Sequence, residues 1–152
     1  MSWFECVPNF SEGRDEAKIA AIVAEAQGTA GVTLLDVEQN ADHNRCVVTL
    51  VGEGPPLVDM VLRMMQVATT LIDLTSHRGE HPRMGATDVV PFVPLGDAST
   101  EQAVDLAVAL GARVWDELHI PVYLYGDAAR VPERRDLAKV RAGQFEAIRD
   151  SI

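Results

Sequence analysis

Two strand-like runs follow one another without a helix between them, and this order limits the fold more than any other feature of the sequence. The runs span residues 32–37 and 46–51, and the polar residues 38–44 connect them. Apolar residues recur at helical spacing before them (residues 19–26) and after them (residues 58–74). A sheet of strictly alternating strands and helices has no place for two consecutive strands, so the order argues against an all-parallel sheet.

The remaining segments complete the pattern of an α+β protein. Short apolar runs predict strands over residues 3–10, 89–95 and 121–125. Ser99 with Gln102 forms a capping-box signal for a third helix. The predicted buried faces are Val104, Ala107, Val108, Gly111, Trp115 and Leu118 in that helix, and Leu137, Val140, Phe145 and Ile148 in a last helix from Pro132 onward. The order β-α-β-β-α-β, then α-β-α, predicts a ferredoxin-like core with a mostly antiparallel sheet, helices on one face and an added α-β-α extension.

The composition suits a single domain over residues 1–152. Of the 152 residues, 47% are apolar and 24% are charged, which excludes a disordered polar chain. The formal net charge of −10 argues against a nucleic acid or an anionic membrane as main partner, because both bind basic surfaces. Neither a basic leader nor a membrane-spanning apolar run is visible, so a cytoplasmic protein is expected. Cys6 and Cys46 stand in apolar runs and are predicted to be buried thiols.

The most unusual stretch is residues 76–88, which holds two histidines, two arginines and two acidic residues between a helix and a strand. Loops on a rigid scaffold are where functional sites concentrate. Pro82 pushes His81 out of the helical region into extended backbone, and this orients its ring. Since imidazole titrates near neutrality, His81 is the candidate for taking up and returning a proton.

Two other interpretations of this stretch stay open. His77 and His81 lie four residues apart, which is a zinc-ligand spacing on a helix, but a glycine and a proline break the helix and no third ligand is evident. A metal is therefore not expected. Alternatively the loop is structural, with His81 paired to Glu80 or Asp88. Spacing alone does not choose between a structural loop and a catalytic one.

The same stretch carries a family resemblance. Residues 79–86 (GEHPRMGA), followed by Asp88 and by residues 91–92 (PF), resemble the signature of glutamate formiminotransferases, including the formiminotransferase-cyclodeaminases. Further motifs agree in the same order: residues 5–14 (ECVPNFSEGR), 35–37 (LDV), 44–45 (NR), 121–126 (PVYLYG), 134–135 (RR) and 141–143 (RAG). The resemblance covers almost the whole chain and is to the N-terminal subdomain of that family.

The resemblance implies transfer of the formimino group from N-formimino-L-glutamate to N5 of tetrahydrofolate, with tetrahydrofolate as a co-substrate. It places the catalytic acid/base on His81. Both substrates carry carboxylates, so Arg45, Arg78 and Arg83 are candidate anchors through bidentate pairing, with a surface or loop-bracing ion pair as the alternative for each. Asn9 is a candidate for orienting a polar substrate group, with ordinary turn chemistry as its alternative.

Two departures from the family pattern bear on function. Glu38 stands where the family usually has Asp, and the extra methylene shifts a candidate substrate-binding carboxylate. Members of the family are also expected to pair two similar subdomains around the folate, whereas this chain matches the first alone. Two hypotheses follow: a formiminotransferase subdomain that works with a second subdomain or as a homo-oligomer, and a non-catalytic module that binds a folate or a protein partner through the open sheet face. A metal-dependent hydrolase, which would require stoichiometric zinc, is a third.

Overall fold

The chain forms one six-stranded sheet with five α-helices, and a computed structural model describes residues 2–151. Met1 and Ile152, the two ends of the predicted domain, lie outside the described residues. The strands are β1 (Trp3–Cys6), β2 (Asn9–Phe10), β3 (Val32–Asn40), β4 (Arg45–Glu53), β5 (Thr87–Val89) and β6 (Phe92–Leu95). The helices are α1 (Glu16–Ala24), α2 (Gly54–Leu71), α3 (Thr100–Arg113), α4 (Leu137–Val140) and α5 (Gln144–Ile148). The predicted α+β class is confirmed.

The sheet is antiparallel, and β1 with β2, like β5 with β6, are halves of longer strands. Both β1 and β2 pair with β4, β6 pairs with β1, β5 pairs with β2, and β3 pairs with the other edge of β4. When β1 with β2 is counted as the first strand, and β5 with β6 as the fourth, β3 is the second strand and β4 the third. The order across the sheet is then fourth, first, third, second. This is the order of the split β-α-β arrangement, so the predicted ferredoxin-like core is present.

Prolines lie at both interruptions. Pro8 separates β1 from β2 and Pro91 separates β5 from β6, and a proline has no N–H to give to the ladder. Carbonyl groups keep the strands together there: the Val7 amide donates to the Pro91 carbonyl over 3.2 Å, and the Val48 amide donates to the Pro8 carbonyl over 3.1 Å. The strand predicted over residues 3–10 therefore follows the expected path with a broken ladder.

The central hairpin is longer than the sequence pattern predicted. β3 and β4 have nine residues each, so the predicted polar connection shrinks to a turn at residues 41–44. A register shift between Leu34 and Asp36 places Leu35 in a bulge. As a result Glu38 and Arg45 lie on strands, where the two-residue repeat determines which face their side chains occupy.

The three long helices α1, α2 and α3 pack on one face of the sheet, as predicted. Buried and partly exposed residues alternate along β4, and the buried ones join a core with residues of α1, α2 and α3. Core residues without exposed surface include Cys6, Phe10, Ile22, Cys46, Val48, Leu50, Leu57, Met60 and Met64. On the opposite face Trp3, Leu35 and Val93 are 41%, 58% and 42% exposed. Within residues 2–151, no helix is both long and apolar enough to cross a lipid bilayer.

Residues 121–125 do not form the predicted strand. His119 has a left-handed backbone with φ of 57°, and the chain beyond it packs apolar side chains against α3. A Cβ placed on Gly111 would lie 3.3 Å from Cγ1 of Val122. The apolar pattern is explained by packing on a helix, so the extension adds no strand to the sheet.

The last predicted helix is broken, and the predicted buried face of the third helix is partly wrong. Gly143 and Gln144 have φ of 80° and 58°, and such left-handed residues end a right-handed helix. α3 continues into a π-helical turn at Val114–Leu118, which changes the direction of the side chains beyond it. Ala103, Leu110 and Val114 are buried on one helical face, whereas Trp115 is 54% exposed.

Candidate active site

Three predicted site residues lie together on the sheet face that the helices leave uncovered. Asn9 on β2 and Glu38 on β3 each pair with Val47 of β4. Asn9, Val47 and Glu38 therefore form one row across the sheet. Arg45 lies two residues from Val47 and on the same face. Its Nη1 donates to Oδ1 of the buried Asn9 over 3.5 Å, and Nδ2 of Asn9 donates to the Val7 carbonyl over 3.0 Å.

The loop that carries His81, residues 72–86, lies on the turn between β3 and β4. The Glu80 amide donates to the Asp42 carbonyl over 3.0 Å. Gly79 passes so close that a Cβ there would lie 2.3 Å from the His43 carbonyl oxygen. The ring centroids of His43 and His81 are 5.8 Å apart, so the strand ends and the loop bring two imidazoles together.

The surroundings of His81 favour its neutral form. Partial burial lowers the pKa of His81 below its ordinary 6.5, the cations Arg45 and Arg141 lower this pKa further, and Asp88 acts in the opposite direction. At pH 7 the imidazole is therefore mostly unprotonated and able to accept a proton. This is the protonation state that a general base requires.

Asn44 connects the loop, the hairpin turn and the segment that follows β2. Its backbone is left-handed with φ of 53°, a conformation that asparagine tolerates better than most residues. Its buried side chain accepts from the Gly13 amide over 2.9 Å and donates to the Arg78 carbonyl over 3.0 Å. Three separate motifs of the sequence therefore meet at one side chain, directly before Arg45.

Arg83, a predicted substrate anchor, is buried and binds other side chains of the same domain. Its side chain is 8% exposed, and its Nε donates to Nδ1 of His77 over 3.0 Å. Its two Nη atoms donate to the two carboxylate oxygens of Glu146 over 2.6 and 2.8 Å, and Nη1 also donates to Oε1 of Gln144 over 3.2 Å. These contacts match the loop-bracing alternative, and the geometry gives no support to Arg83 as a substrate anchor.

His77 is fully engaged as well. It is buried, its Nδ1 accepts from Arg83, and its Nε2 donates to the Asn44 carbonyl over 3.0 Å. Neither ring nitrogen is left to coordinate a metal with His81. Among the residues that the structure describes, no three His, Cys, Asp or Glu side chains are grouped to hold a metal ion.

Arg78 and Glu38 are both exposed, unlike Arg83. Nη1 of Arg78 donates to the carbonyl of its neighbour His77 over 2.8 Å. The rest of this guanidinium faces solvent at the rim of the loop. Arg45 on the sheet and Arg78 on the loop are therefore the two predicted anchors that lie within reach of a ligand.

Asp88 and Arg141 form a buried ion pair next to the loop, and neither was a predicted site residue. Nη2 of Arg141 lies 2.7 Å from Oδ2 of Asp88, with the two side chains 17% and 4% exposed. Oδ1 of Asp88 accepts from the Met84 amide. Both residues stand in the motifs that carry the family resemblance, which is the one sequence signal for them. Their pairing joins positions 53 residues apart, which no local pattern shows.

His43 is a further site residue that sequence reasoning did not select. Its Nδ1 is buried and has no hydrogen-bond partner within the described part of the chain. The sequence offered one indication, its place beside the Asn44-Arg45 motif. His43 thus adds a polar atom next to His81.

A cavity of about 350 Å³ lies on the helix side of the sheet. It is enclosed mostly by apolar residues of β5, β6, α3 and the chain from Ile120 to Arg141, and it meets the site at the ion pair of Asp88 with Arg141. Oγ1 of Thr87 and Nε of Arg141 are buried there without a hydrogen-bond partner among residues 2–151. The space is separate from the row of Asn9, Val47 and Glu38, which occupies the other face.

Fold and site define an α+β domain of split β-α-β topology, with a histidine of lowered pKa on a loop at the edge of an open sheet face. The family model described as formiminotransferase domain, N-terminal subdomain, matches residues 3–152. The chain therefore belongs to the formiminotransferase family as an N-terminal subdomain.

Similar proteins in bacteria, archaea and animals carry related names. The chain is 49% identical over 148 residues to a glutamate formimidoyltransferase of Streptococcus pyogenes serotype M1, and the match covers 97% of the chain and 50% of that protein. It is 48% identical over 154 residues to the glutamate formimidoyltransferase of Thermoplasma acidophilum, covering 51% of it. A formimidoyltransferase-cyclodeaminase of Mus musculus is 47% identical over 148 residues, which are 27% of its length. The chain thus spans about half the length of the bacterial and archaeal relatives.

Proposed function

We propose that this chain supplies the catalytic histidine for transfer of the formimino group from N-formimino-L-glutamate to N5 of tetrahydrofolate. The observation that carries the proposal is the position of His81, whose loop lies on the turn before Arg45, with its ring 5.8 Å from that of His43 and its pKa lowered by burial and by Arg45. The names of the relatives support this choice of reaction. Tetrahydrofolate is a co-substrate here, and no step of the proposed chemistry uses a metal ion.

In this proposal His81 moves one proton. The neutral imidazole accepts the proton that N5 loses as its bond to the formimino carbon forms. The imidazolium then returns that proton to the glutamate nitrogen as the carbon–nitrogen bond to glutamate breaks. The proton balance closes within one turnover, and general acid–base catalysis of this kind contributes about 10²–10⁴-fold to a rate.

Arg45 and Arg78 are the proposed carboxylate anchors. Arg45 lies on the sheet and Arg78 on the His81 loop, and both guanidinium groups keep N–H donors beyond their one hydrogen bond each. Asn9 and Glu38 are proposed to orient polar groups of the substrates from the same row. Burial is the main cause of the depressed pKa of His81, and the Arg45 cation is the next, so this proposed anion-binding group lies close to the proposed proton carrier.

The test is the His81→Gln variant, which keeps the shape of a polar side chain and loses the titrating ring. Its rate of formimino transfer should fall at least about 100-fold, with an unchanged circular dichroism spectrum. His119→Asn is the matched control, since His119 is an exposed, left-handed histidine far from the loop in sequence. Equal turnover by the wild type and His81→Gln would refute the assignment.

A second candidate function, a non-catalytic module that binds a folate or a protein, is favoured by the uncovered sheet face with its exposed Trp3, Leu35 and Val93. Trp3 lies on that face whereas Trp115 follows α3, so a chain with Trp115→Phe reports on the face alone. Folate that binds to the open face should quench the Trp3 fluorescence of the Trp115→Phe chain. The Trp115 fluorescence of the Trp3→Phe chain should stay unchanged. Binding without turnover under any assay condition would favour this alternative.

A second subdomain or a second copy of the chain is the proposed cover of the open sheet face. The exposed apolar side chains on it support this proposal. Sedimentation at increasing protein concentration tests self-association, and a monomer at every concentration would leave a second subdomain as the partner. A cytoplasmic location stays a prediction from the sequence.

A further inference from the structure

Residues 141–146, here named the clamp segment, contact the His81 loop and the strand β5 that follows it, by two charged side chains and by the backbone. Arg141 reaches Asp88 on one side, and Glu146 reaches Arg83 on the other. His81 lies in the loop that these two contacts hold. The clamp segment is distant in sequence from the loop, so its contacts constrain the loop through tertiary structure alone.

The contact between Glu146 and Arg83 is a two-point ion pair. Glu146 accepts from both Nη atoms of Arg83, and the planar match of guanidinium and carboxylate gives the contact a defined direction. Arg83 passes this constraint on through Nε to His77, and His77 passes it to the Asn44 carbonyl. The loop is therefore fixed between the clamp segment and the turn that precedes Arg45.

The contact between Arg141 and Asp88 fixes the C-terminal end of the loop. Asp88 accepts from the Met84 amide with one carboxylate oxygen and pairs with Arg141 through the other. Its side chain is almost fully buried, so the pair is protected from water. Met84 lies three residues from His81, which places the constraint close to the imidazole.

The backbone of the clamp segment is shaped for these contacts. Gly143 and Gln144 are both left-handed, and the turn that they form presents the amide of Phe145 to the Arg83 carbonyl over 3.0 Å. A Cβ on Gly143 would lie 2.5 Å from Cβ of Ala147. A non-glycine residue in the left-handed region costs free energy, so tertiary contacts are needed to hold Gln144 there.

We propose that Glu146 and Arg141 are positioning residues for His81, acting through Arg83 and Asp88 to set where the imidazole stands. Neither residue touches the reacting atoms in this proposal. It deepens the proposed function, since it rests on His81 as the proton carrier. Its direct readout is the state of the His81 ring, which can be measured without turnover.

Glu146→Gln is the main variant, because Glu146 is half exposed and its loss leaves the core intact. Glu117→Gln is the matched control: it breaks the pair with Arg113 at 49% exposure, close to the 51% of Glu146. Since Glu146→Gln also changes the local charge, a response of the ring reports position when Gly143→Ala gives it too. Gly143→Ala disturbs the same segment without any change of charge.

Two measurements on the 152-residue chain decide the matter. Glu146→Gln and Gly143→Ala should each move the ¹⁵N resonances of the His81 ring, and should speed amide exchange at Glu80 and Met84 by about ten-fold relative to β4. Glu117→Gln should leave both measurements at wild-type values. Unchanged His81 resonances in Glu146→Gln would overturn the proposal, whatever the exchange rates show.

A transfer assay separates this proposal from the proposed function. If the ring responds to Glu146→Gln but His81→Gln keeps wild-type turnover, the positioning holds and the catalytic assignment fails. If His81→Gln is inactive and the ring ignores Glu146→Gln, the catalytic assignment stands and the positioning proposal is wrong.

Discussion

At the scale of single residues, burial and local charges together favour the unprotonated form of His81. Partial burial lowers its pKa most, and Arg45 and Arg141 further disfavour its imidazolium form. A lone histidine on a solvated loop would instead titrate near 6.5 and be partly protonated at neutral pH. Arg45, one of the two proposed carboxylate anchors, thus also favours the form of the histidine that accepts a proton.

Replacement of Arg45 by Gln should raise the pKa of His81, because one of the two neighbouring cations is removed. The shift is measured by ¹H–¹⁵N NMR titration of the imidazole, with Arg130→Gln, an exposed arginine, as the control. An unchanged His81 titration in Arg45→Gln would mean that the two groups do not interact.

The depressed pKa of His81 also gives stability a pH dependence of known sign. The folded state binds fewer protons than the unfolded state between the folded pKa and about 6.5. The free energy of unfolding should therefore fall as the pH drops through this window and be unaffected by His81 above it. Urea titrations from pH 5 to pH 8 should show a smaller fall for His81→Gln than for the wild type.

Gly79 is required by space and not by backbone conformation. Gly79→Ala should lower the free energy of unfolding by about 3 kcal/mol, because the new Cβ overlaps the His43 carbonyl. Gly28→Ala should cost about 1 kcal/mol, since Gly28 is left-handed but has open space around it. Urea denaturation of the two variants checks the order, and a cheaper Gly79→Ala would show that the loop can lift from the turn.

At the scale of elements, local sequence patterns predict the secondary structure correctly where the chain is regular. The consecutive strands, the capping box at Ser99 and the helices on both sides of the hairpin all occur as predicted. Local patterns do not predict the irregular C-terminal part correctly. Residues 121–125 have the apolar pattern of a strand but pack on α3, and a sequence pattern does not tell a helix surface from a sheet edge.

The capping box of α3 provides a test at this scale. Ser99 accepts from the Gln102 amide over 3.1 Å, and the Gln102 side chain accepts in return from the Ser99 amide over 2.9 Å. Ser99→Ala should reduce the free energy of unfolding by about 1 kcal/mol. Thr70→Ala, at an exposed position of α2, should change it by less than about 0.5 kcal/mol. Equal effects in thermal or urea unfolding would show that the cap contributes nothing.

At the scale of the whole molecule, the sheet separates a buried face from an open one. Helices and core residues fill the first face, and the second carries the candidate site residues Asn9, Glu38 and Arg45. The two faces follow from the alternation of buried and partly exposed residues along β4. Which face the helices cover was set by the packing of α1, α2 and α3 together.

Two leucines test this division of faces. Leu50→Ala should lower the free energy of unfolding by about 2–5 kcal/mol, because Leu50 has no exposed surface and its loss leaves a cavity. Leu35→Ala removes the same atoms from the bulge, where the side chain is 58% exposed, and should cost less than about 1 kcal/mol. Similar costs in urea denaturation would mean that the uncovered face is in fact covered in solution.

The sequence by itself determined the order of most elements, the α+β class and the family, and it singled out His81 as the candidate proton carrier, because these rest on local periodicity and on motifs of adjacent residues. The tertiary structure alone decided which arginines are free. Arg45 lies on the open face and Arg78 at the rim, whereas Arg83 is held by Glu146, 63 residues further along the chain. An ion pair between such distant positions depends on how the C-terminal segment packs, and no local pattern encodes that packing.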